Sequence, residues 1–210
     1  EEKFHFLKKE INNKKLGKIY NIQASYLWGR SNKIDNTWRN KKNKYSFLLA
    51  SGTHIIDLVN WLIGSCPKSV YVTSSNNTPK KFNFNDSDFF NINFKYKDGL
   101  IVNIFLNALC IHPHFHPLTV FGTKKTIIQN LDSSYNISKK KDKYIINKGK
   151  FTKSNKKKKL MIDEFIKNIK YKKSNKLLSY PEIYYLMKIC FACIESIKKS
   201  KEVEIVLNEN

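Results

Sequence analysis

Arginine is nearly missing from this chain. Of its 39 Lys and Arg residues, only Arg30 and Arg39 carry a guanidinium. Bidentate recognition of bases and phosphates favours arginine, so the formal charge of +22 does not by itself mark a nucleic-acid-binding protein. The lysines are spread along the whole sequence. They read either as a solvated surface or as a basic one that attracts anionic substrates and polymers at low salt. Acidic residues number only 17, and none is marked by context as half of a catalytic acid pair. No apolar run approaches the ~18 residues of a spanning helix. The first residues, EEKFHFLKKE, do not read as a signal peptide. Cysteine is scarce, with Cys66, Cys110, Cys190 and Cys193 making no disulfide framework for a chain this long. The Cys190–Cys193 pair sits inside the apolar stretch ICFACIESI, without a second pair or a neighbouring histidine, and reads as core. A reducing cytoplasmic setting is expected.

Nucleotide signatures are missing too. No GxGxxG follows a strand and no GxxxxGK[ST] occurs, so the chain shows no dinucleotide or nucleoside triphosphate site of its own. No nucleophile elbow supports Ser/His/Asp chemistry.

What is present is a chain that can fold. Its 210 residues suffice for one substantial core, with 41% hydrophobic residues and 14 Phe and 11 Tyr to fill it. Residues 2–15 read as a short helix ending at Gly17, and KIYNIQASYLW alternates like a strand. Residues 29–46 read as a long polar loop, a class that is often functional. In THIIDLVNWLI, the residues Ile55, Ile56, Val59, Leu62 and Ile63 recur at helical spacing, with Gly64 placed to end the helix. SVYVTSS reads as a strand. FFNINFKYKDGLIVNIFLNAL reads as a hairpin turning at Asp98-Gly99. LTVFGTKKTIIQNL repeats that pattern around Gly122, and a further strand pair is expected over 133–147. Residues 148–159 form a lysine-rich, low-complexity stretch expected to be an exposed loop. Helices return at LMIDEFIKNIK and EIYYLMKICFACIESIKKS, the second with a capping box of Ser179 and Glu182. VEIVL is a last strand. The order predicts an α+β fold, an open and mostly antiparallel sheet with helices on one face. Several strands are apolar on both sides, so the other face needs a partner subunit or a second domain.

Few residues carry candidate chemistry. His54 stands at the first turn of the apolar helix, after the glycine-containing SGTH loop. An imidazole there can exchange a proton with a hydroxyl or carbonyl oxygen, or it can simply cap and pack the helix. Asp57 lies three residues on among apolar neighbours, where a carboxylate needs partners. It belongs either to the site or to a structural role bonding to loop backbone beneath His54, and the structural role is expected. His112, His114 and His116 occur in CIHPHFHPL. If extended, they share a face, as metal ligands, as a substrate lining, or as a polar strand edge. No carboxylate or cysteine at metal spacing accompanies them, and no metal site is assigned. Trp38 and Arg39 suit stacking on and hydrogen bonding to a substrate, or anchoring their own loop.

The ordered segments LGKIYNIQASY, Trp38-Arg39, FLLASGTHIIDLVNWLIGSCPKSVYV, FKYKDGLIVNIFLNA, LTVFGTKKTIIQNL, MIDEFIKNIK and PEIYYLMKICFACIESIKKSKEVEIVL carry a resemblance. Together they resemble the C-terminal domain of the glucose–fructose oxidoreductase/inositol dehydrogenase/rhizopine-catabolism (Gfo/Idh/MocA) family. The resemblance implies that residues 1–210 are one substrate-binding and oligomerisation domain. It further implies a preceding Rossmann domain, absent from this chain and supplied in cis or in trans, which binds NAD or NADP. The active site would lie between the two domains, and sheet faces would pair subunits into dimers or tetramers. His54 matches the family's proton-transfer or hydroxyl-binding histidine, and Asp57 matches a supporting aspartate.

Two departures stand out. Lys44, Tyr45 and Ser46 occupy the place of a glycine-rich run, and Ala50 stands where an aspartate or asparagine is usual. The family's lysine belongs to the absent domain. The expected function is therefore the substrate domain of an NAD(P)-dependent oxidoreductase acting on a hydroxyl of a sugar, nucleotide-sugar or cyclitol, with no catalysis by this chain alone. The alternatives are a non-catalytic assembly or sugar-binding paralogue, and a basic nucleic-acid-binding protein.

Overall fold

Strict two-residue alternation along the strands builds one layer of the protein, and helical stripes of Ile, Leu and Val build the other. The computed structural model describes residues 2–35, 37–41, 44–77, 87–141, 143–149, 162–163, 166–167, 169–171 and 180–207. The helices are α1 (Glu2–Asn12), α2 (Asn32–Asp35), α3 (Thr53–Ile63) and α4 (Tyr180–Lys199). The strands are β1 (Ile19–Leu27), β2 (Ser69–Ser75), β3 (Phe89–Lys95), β4 (Ile101–Asn107), β5 (Leu118–Gly122), β6 (Lys125–Gln129), β7 (Ser134–Lys140), β8 (Lys143–Gly149) and β9 (Val203–Glu204). The strands form one sheet in the order β8-β7-β6-β5-β1-β4-β3-β2-β9. Among the described residues only β1 and β4 pair in parallel, with Ile22 opposite Val102 and Ala24 opposite Ile104. The expected open, mostly antiparallel α+β sheet is what the chain forms.

One side of each strand feeds the core. Ile22, Ala24 and Tyr26 of β1 are buried with Val102, Ile104 and Leu106 of β4 and Phe90, Ile92 and Phe94 of β3. Against them α3 lays Ile55, Ile56, Val59 and Leu62, each fully buried, at about 1.5–3 kcal/mol per side chain. Gly64 ends α3 in the left-handed conformation, its N–H donating to the Asn60 carbonyl at 2.7 Å, as the sequence predicts. The Lys8 ammonium of α1 adds a cation to the same helix end. It donates to the carbonyls of Trp61 at 2.6 Å and Leu62 at 3.1 Å, where the helix dipole favours positive charge. Helix α4 contributes Ile189, Ala192 and both cysteines of its CxxC to the core. Burial pushes the Cys190 thiol up to about 12 and that of Cys193 well above its ordinary value. Both are free thiols, the core role expected of them. Ser196 closes the β2 edge beyond the short β9. Its hydroxyl accepts from the Val72 N–H at 3.0 Å and donates to the Lys201 carbonyl at 2.7 Å, which shields an edge otherwise open to strand pairing.

Helices α1, α3 and α4 bury their residues in the core on this one side of the sheet. On the opposite face Asn21, Asn91, Asn93 and Asn103 form an amide ladder. Asn21 donates to Asn103 at 3.0 Å, Asn103 to Asn93 at 2.5 Å and Asn93 to Asn91 at 3.3 Å. Phe105 and Phe89 stack beside it at 6.3 Å, and Tyr71 and Ile101 are exposed.

Several boundaries differ from the sequence reading. Helix α1 stops at Asn12, and the supposed loop 29–46 contains α2 and a 3-10 turn at Trp38–Asn40. The glycine-containing SGTH segment is not a loop. Leu48–Gly52 is a π-helical turn running directly into α3. The 112–116 segment is not a strand; a single bridge pairs Phe115 with Leu27. The last strand keeps only Val203 and Glu204. The hairpin expected over 133–147 is present as β7 and β8. Strand β8 runs through Lys148 and Gly149, which the sequence placed in the lysine-rich stretch, and the rest of that stretch, 150–159, lies outside the described residues. So does Ser179 of the supposed capping box. Within the expected helix LMIDEFIKNIK, the described residues are helical.

Glu10 is a charged exception to the apolar interior, only 5% exposed. Its carboxylate binds Lys15 at 2.7 Å and Lys125 at 2.9 Å. Burial pushes its pKa up, but the two lysine hydrogen bonds and charges outweigh this and hold it below the ordinary glutamate value. A depressed carboxylate pKa stabilises the fold at pH values above the unfolded-state value, and that stability is lost as pH falls through the folded-state value. Glu10→Gln is expected to cost about 1–3 kcal/mol at neutral pH. The cost should shrink toward zero in acid, read as the difference in urea midpoint between wild type and variant across pH. A difference that stays constant down to acid pH would remove the ion-pair explanation.

Candidate functional site

Three pieces of chain converge at one end of the β1–β4 pair. The first is the C-terminal end of β1, where Tyr26 is 5% exposed. The second is the π-turn leading into α3. The third is the connector from β4 to β5, which runs antiparallel to the end of β1. The Leu27 and Phe115 backbones exchange two hydrogen bonds of 3.0 Å, and the Ser25 N–H donates to the Pro117 carbonyl at 3.0 Å.

This pairing sets two histidine rings around Tyr26. His116 lies 4.7 Å from the Tyr26 ring and His114 5.3 Å from it, with the two imidazoles 5.1 Å apart. His54, exposed at the start of α3, lies 6.3 Å from Tyr26 with near-parallel ring planes. Phe47 closes the group at 5.9 Å. His112 does not join them. Its Nδ1 donates to its neighbour's carbonyl at Pro113, 2.7 Å away, because the chain bends around 111–114 and does not carry His112 to the face shared by His114 and His116. Among the described residues, no group of three or more His, Cys, Asp or Glu side chains is placed to hold a metal ion.

A hydroxyl chain extends the site toward the 29–46 segment. The Tyr26 pKa is raised by burial above all, and by the nearby Tyr45, while a hydrogen bond with Ser51 and the Arg30 charge pull it down. The Ser51 and Tyr45 hydroxyls are 3.2 Å apart. Tyr45 meets Trp38 edge-on at 5.6 Å, and the Arg39 guanidinium lies 4.7 Å from the Trp38 ring and 5.6 Å from the Tyr45 ring. Trp38 is 52% exposed. Trp38 and Arg39 are thus tied to His54 through Tyr45, Ser51 and Tyr26.

Asp57 occupies a different place from the expected one. It is exposed on the outer side of α3, and among the described residues its carboxylate makes no hydrogen bond to loop backbone, because one helical turn carries it outward with His54 rather than beneath it. Partial desolvation raises its pKa most, Glu182 adds to the rise, and His54 offsets part of it. Ala50 is also exposed, within the π-turn. A π-turn is uncommon and recurs at functional sites.

Tyr26, Ser51 and Tyr45 were missed as site residues in the sequence. Tyr26 alternates with Ile22 and Ala24 and reads as core, which it also is. The available signal for Tyr45 was its place in the segment that departs from the expected glycine-rich run.

In chemical terms the arrangement offers an accessible imidazole beside buried hydroxyls, flanked by an aromatic platform that carries the Arg39 guanidinium. It can bind a polyhydroxylated molecule and exchange a proton with it.

Residues 4–128 match the family description GFO/IDH/MocA C-terminal domain. A comparison with curated proteins finds no significant match. Among solved structures, the fold is similar to levoglucosan dehydrogenase in complex with NADH and levoglucosan. The TM-score is 0.80 at 19% identity, covering 96% of this chain and 63% of that one. It is similar also to an NAD binding oxidoreductase from Klebsiella pneumoniae, at TM-score 0.80 and 13% identity, covering 97% of this chain and 63% of that one. An oxidoreductase domain protein from Kribbella flavida matches at TM-score 0.80 and 13% identity, covering 97% of this chain and 62% of that one. The chain therefore spans less than two thirds of the length of these proteins.

Proposed function

Since this chain belongs to the GFO/IDH/MocA family through its C-terminal domain, we propose that it is the substrate-binding domain of an NAD(P)-dependent oxidoreductase. Residues 1–210 act as one domain in this reading. Its substrate is a sugar, nucleotide-sugar or cyclitol carrying an oxidisable hydroxyl. The observation that carries the reading is His54, held exposed at the end of β1 beside the Tyr26–Ser51–Tyr45 hydroxyls. NAD or NADP, held by a Rossmann domain in cis or in trans, would supply the hydride acceptor. This chain orients the substrate and receives the hydroxyl proton on the His54 ring.

Trp38 and Arg39 support the far side of the substrate. His114 and His116, packed on Tyr26, hold its ring in place, and Asp57 lies on the exposed rim. His112 is left out of the site. The four free cysteines suit a cytoplasmic setting, and among the described residues no helix is long and apolar enough to cross a membrane.

The test is reduced-nicotinamide formation by the chain combined with its nucleotide-binding domain, across a panel of sugars and cyclitols with NAD and NADP. Ala50, with no carboxylate or amide to offer a substrate, favours one second reading, a sugar-binding paralogue without turnover. Saturable sugar binding with no nicotinamide reduction would select it.

The sheet face away from the core is the assembly surface in this proposal. A second copy would cover Phe105, Tyr71 and Ile101 and pack against the amide ladder. Light scattering on the purified chain is expected to give a dimer or larger, and a monomer at high concentration would rule this surface out.

A further inference from the structure

The two edges of the sheet are treated differently. At one edge β9 pairs with β2, and beyond it the Ser196 hydroxyl accepts from the Val72 N–H. At the other edge lies β8, with no strand beyond it among the described residues. Its pairing with β7 runs from Ser134–Gly149 to Lys140–Lys143, which leaves two residues between the strands. A two-residue hairpin closes on a hydrogen-bonded pair, and bonded and non-bonded pairs alternate from there. The backbone groups of Lys143, Ile145, Asn147 and Gly149 therefore face β7. Those of Tyr144, Ile146 and Lys148 face outward, a row of donors and acceptors that can template another strand.

The side chains along this edge are apolar in the middle and cationic at the ends. Tyr144 is 71% exposed, Ile145 41% and Ile146 61%. Exposed Lys143 and Lys148 bracket them, and Lys148 already crosses to β7, its ammonium 5.8 Å from the centre of the Tyr135 ring. Across 133–162 the sequence sets one acid, Asp142, against a run of lysines. Charge therefore decides what can pair here. A second copy, added antiparallel about Ile146, would set its Lys140–Lys143 turn against Gly149 and the lysine-rich sequence that follows. Edge lysines discourage that self-pairing, and the same lysines attract a strand of opposite sign.

We propose that β8 is a docking edge for an extended acidic segment of a partner protein, which adds a further strand to the sheet. Its backbone bonds to that of Tyr144, Ile146 and Lys148. Apolar residues at its centre cover Tyr144, Ile145 and Ile146, and a carboxylate at each end meets Lys143 and Lys148. This edge is separated from β1 and the His54 group by β7, β6 and β5, so the inference is independent of the oxidoreductase reading.

Amide hydrogen exchange of the full chain, read residue by residue by NMR, tests it. In the free chain the Tyr144, Ile146 and Lys148 amides are expected to exchange about tenfold or more faster than those of Ile145 and Asn147. The end-blocked peptide Glu-Thr-Val-Thr-Val-Glu is expected to slow those three amides about tenfold. It should bind about tenfold tighter than Lys-Thr-Val-Thr-Val-Lys. The double variant Lys143→Glu, Lys148→Glu is expected to reverse that preference. Ile146→Pro removes an outward donor and no bond to β7, and is expected to abolish binding with far-UV circular dichroism unchanged. Equal slowing by the two peptides, or slowing by neither, would overturn the proposal. Protection of the three amides that grows with protein concentration alone would give the edge to a second copy instead. Protection by oligothymidylate and not by the acidic peptide would give it to nucleic acid.

Discussion

His54→Ala in the two-domain enzyme is expected to lower kcat by about 10²–10⁴-fold, the usual range for removing a positioned general base, with KM changed only a few-fold. The side chain is exposed, so its loss should leave stability within about 0.5 kcal/mol of wild type. A fall in turnover would then report chemistry and not folding. The split between the constants matters. An interaction made only in the transition state lowers kcat and kcat/KM together, whereas uniform substrate binding raises KM alone. Ala50 strengthens the expectation, since no carboxylate on the same helical surface one turn earlier can take over the proton. If His54→Ala retained wild-type kcat across the pH range, the proton-transfer role would be lost and only a packing role would remain.

Gly29→Ala is expected to be the most damaging conservative substitution near the site, costing about 3 kcal/mol in total and lowering Tm by about 6–12 °C. Two causes add. Gly29 has φ +56°, a left-handed backbone that costs a side-chain-bearing residue about 1–2 kcal/mol. A Cβ at this position would also fall 1.7 Å from the His112 carbonyl oxygen and 2.9 Å from its carbon. Both are backbone atoms, so relief requires one chain segment to move. The segments that cross here carry Arg30 on one side and His114 and His116 on the other. The variant should therefore lose near-UV dichroism from the Tyr26 group along with stability. Gly99→Ala supplies the control. Gly99 has φ +84° with no atom within 4 Å of the added carbon, so only the conformational cost of about 1–2 kcal/mol applies. Equal losses at the two positions would mean that the crossing is not tight.

Local chemistry made much of this fold readable in advance. The period-two alternation of β3 and β4 and the Asp98-Gly99 turn define a hairpin before any long-range contact is known, because the turn closes with a Leu100 N–H to Asp98 side-chain bond at 3.2 Å and neighbouring backbone pairing. Helix α3 was equally legible, its stripe of Ile55, Ile56, Val59 and Leu62 being a property of 3.6-residue spacing alone. His54 could be singled out because an imidazole at the head of an apolar helix is conspicuous in one dimension.

Long-range pairing decided the rest. Nothing in the spacing of CIHPHFHPL says that it bends, leaving His112 beside its own neighbour while His114 and His116 reach Tyr26. That follows from the Leu27–Phe115 bridge, a contact between residues far apart in the chain. The parallel pairing of β1 with β4 likewise cannot be read from either strand, since both directions bury the same alternate residues. Position 57 went wrong for a related reason. Apolar sequence neighbours suggested an enclosed aspartate, but a helix sends residues three apart to one face, and here that face is outward.

The sequence by itself determined the element types, the apolar stripes, the prominence of His54 and the near-absence of arginine, all consequences of residue identity and short-range spacing. Tertiary structure alone decided that Tyr26, Ser51 and Tyr45 link His54 to Trp38 and Arg39. Such a grouping depends on which strands pair and where loops cross, and those contacts are fixed by the packing of distant side chains.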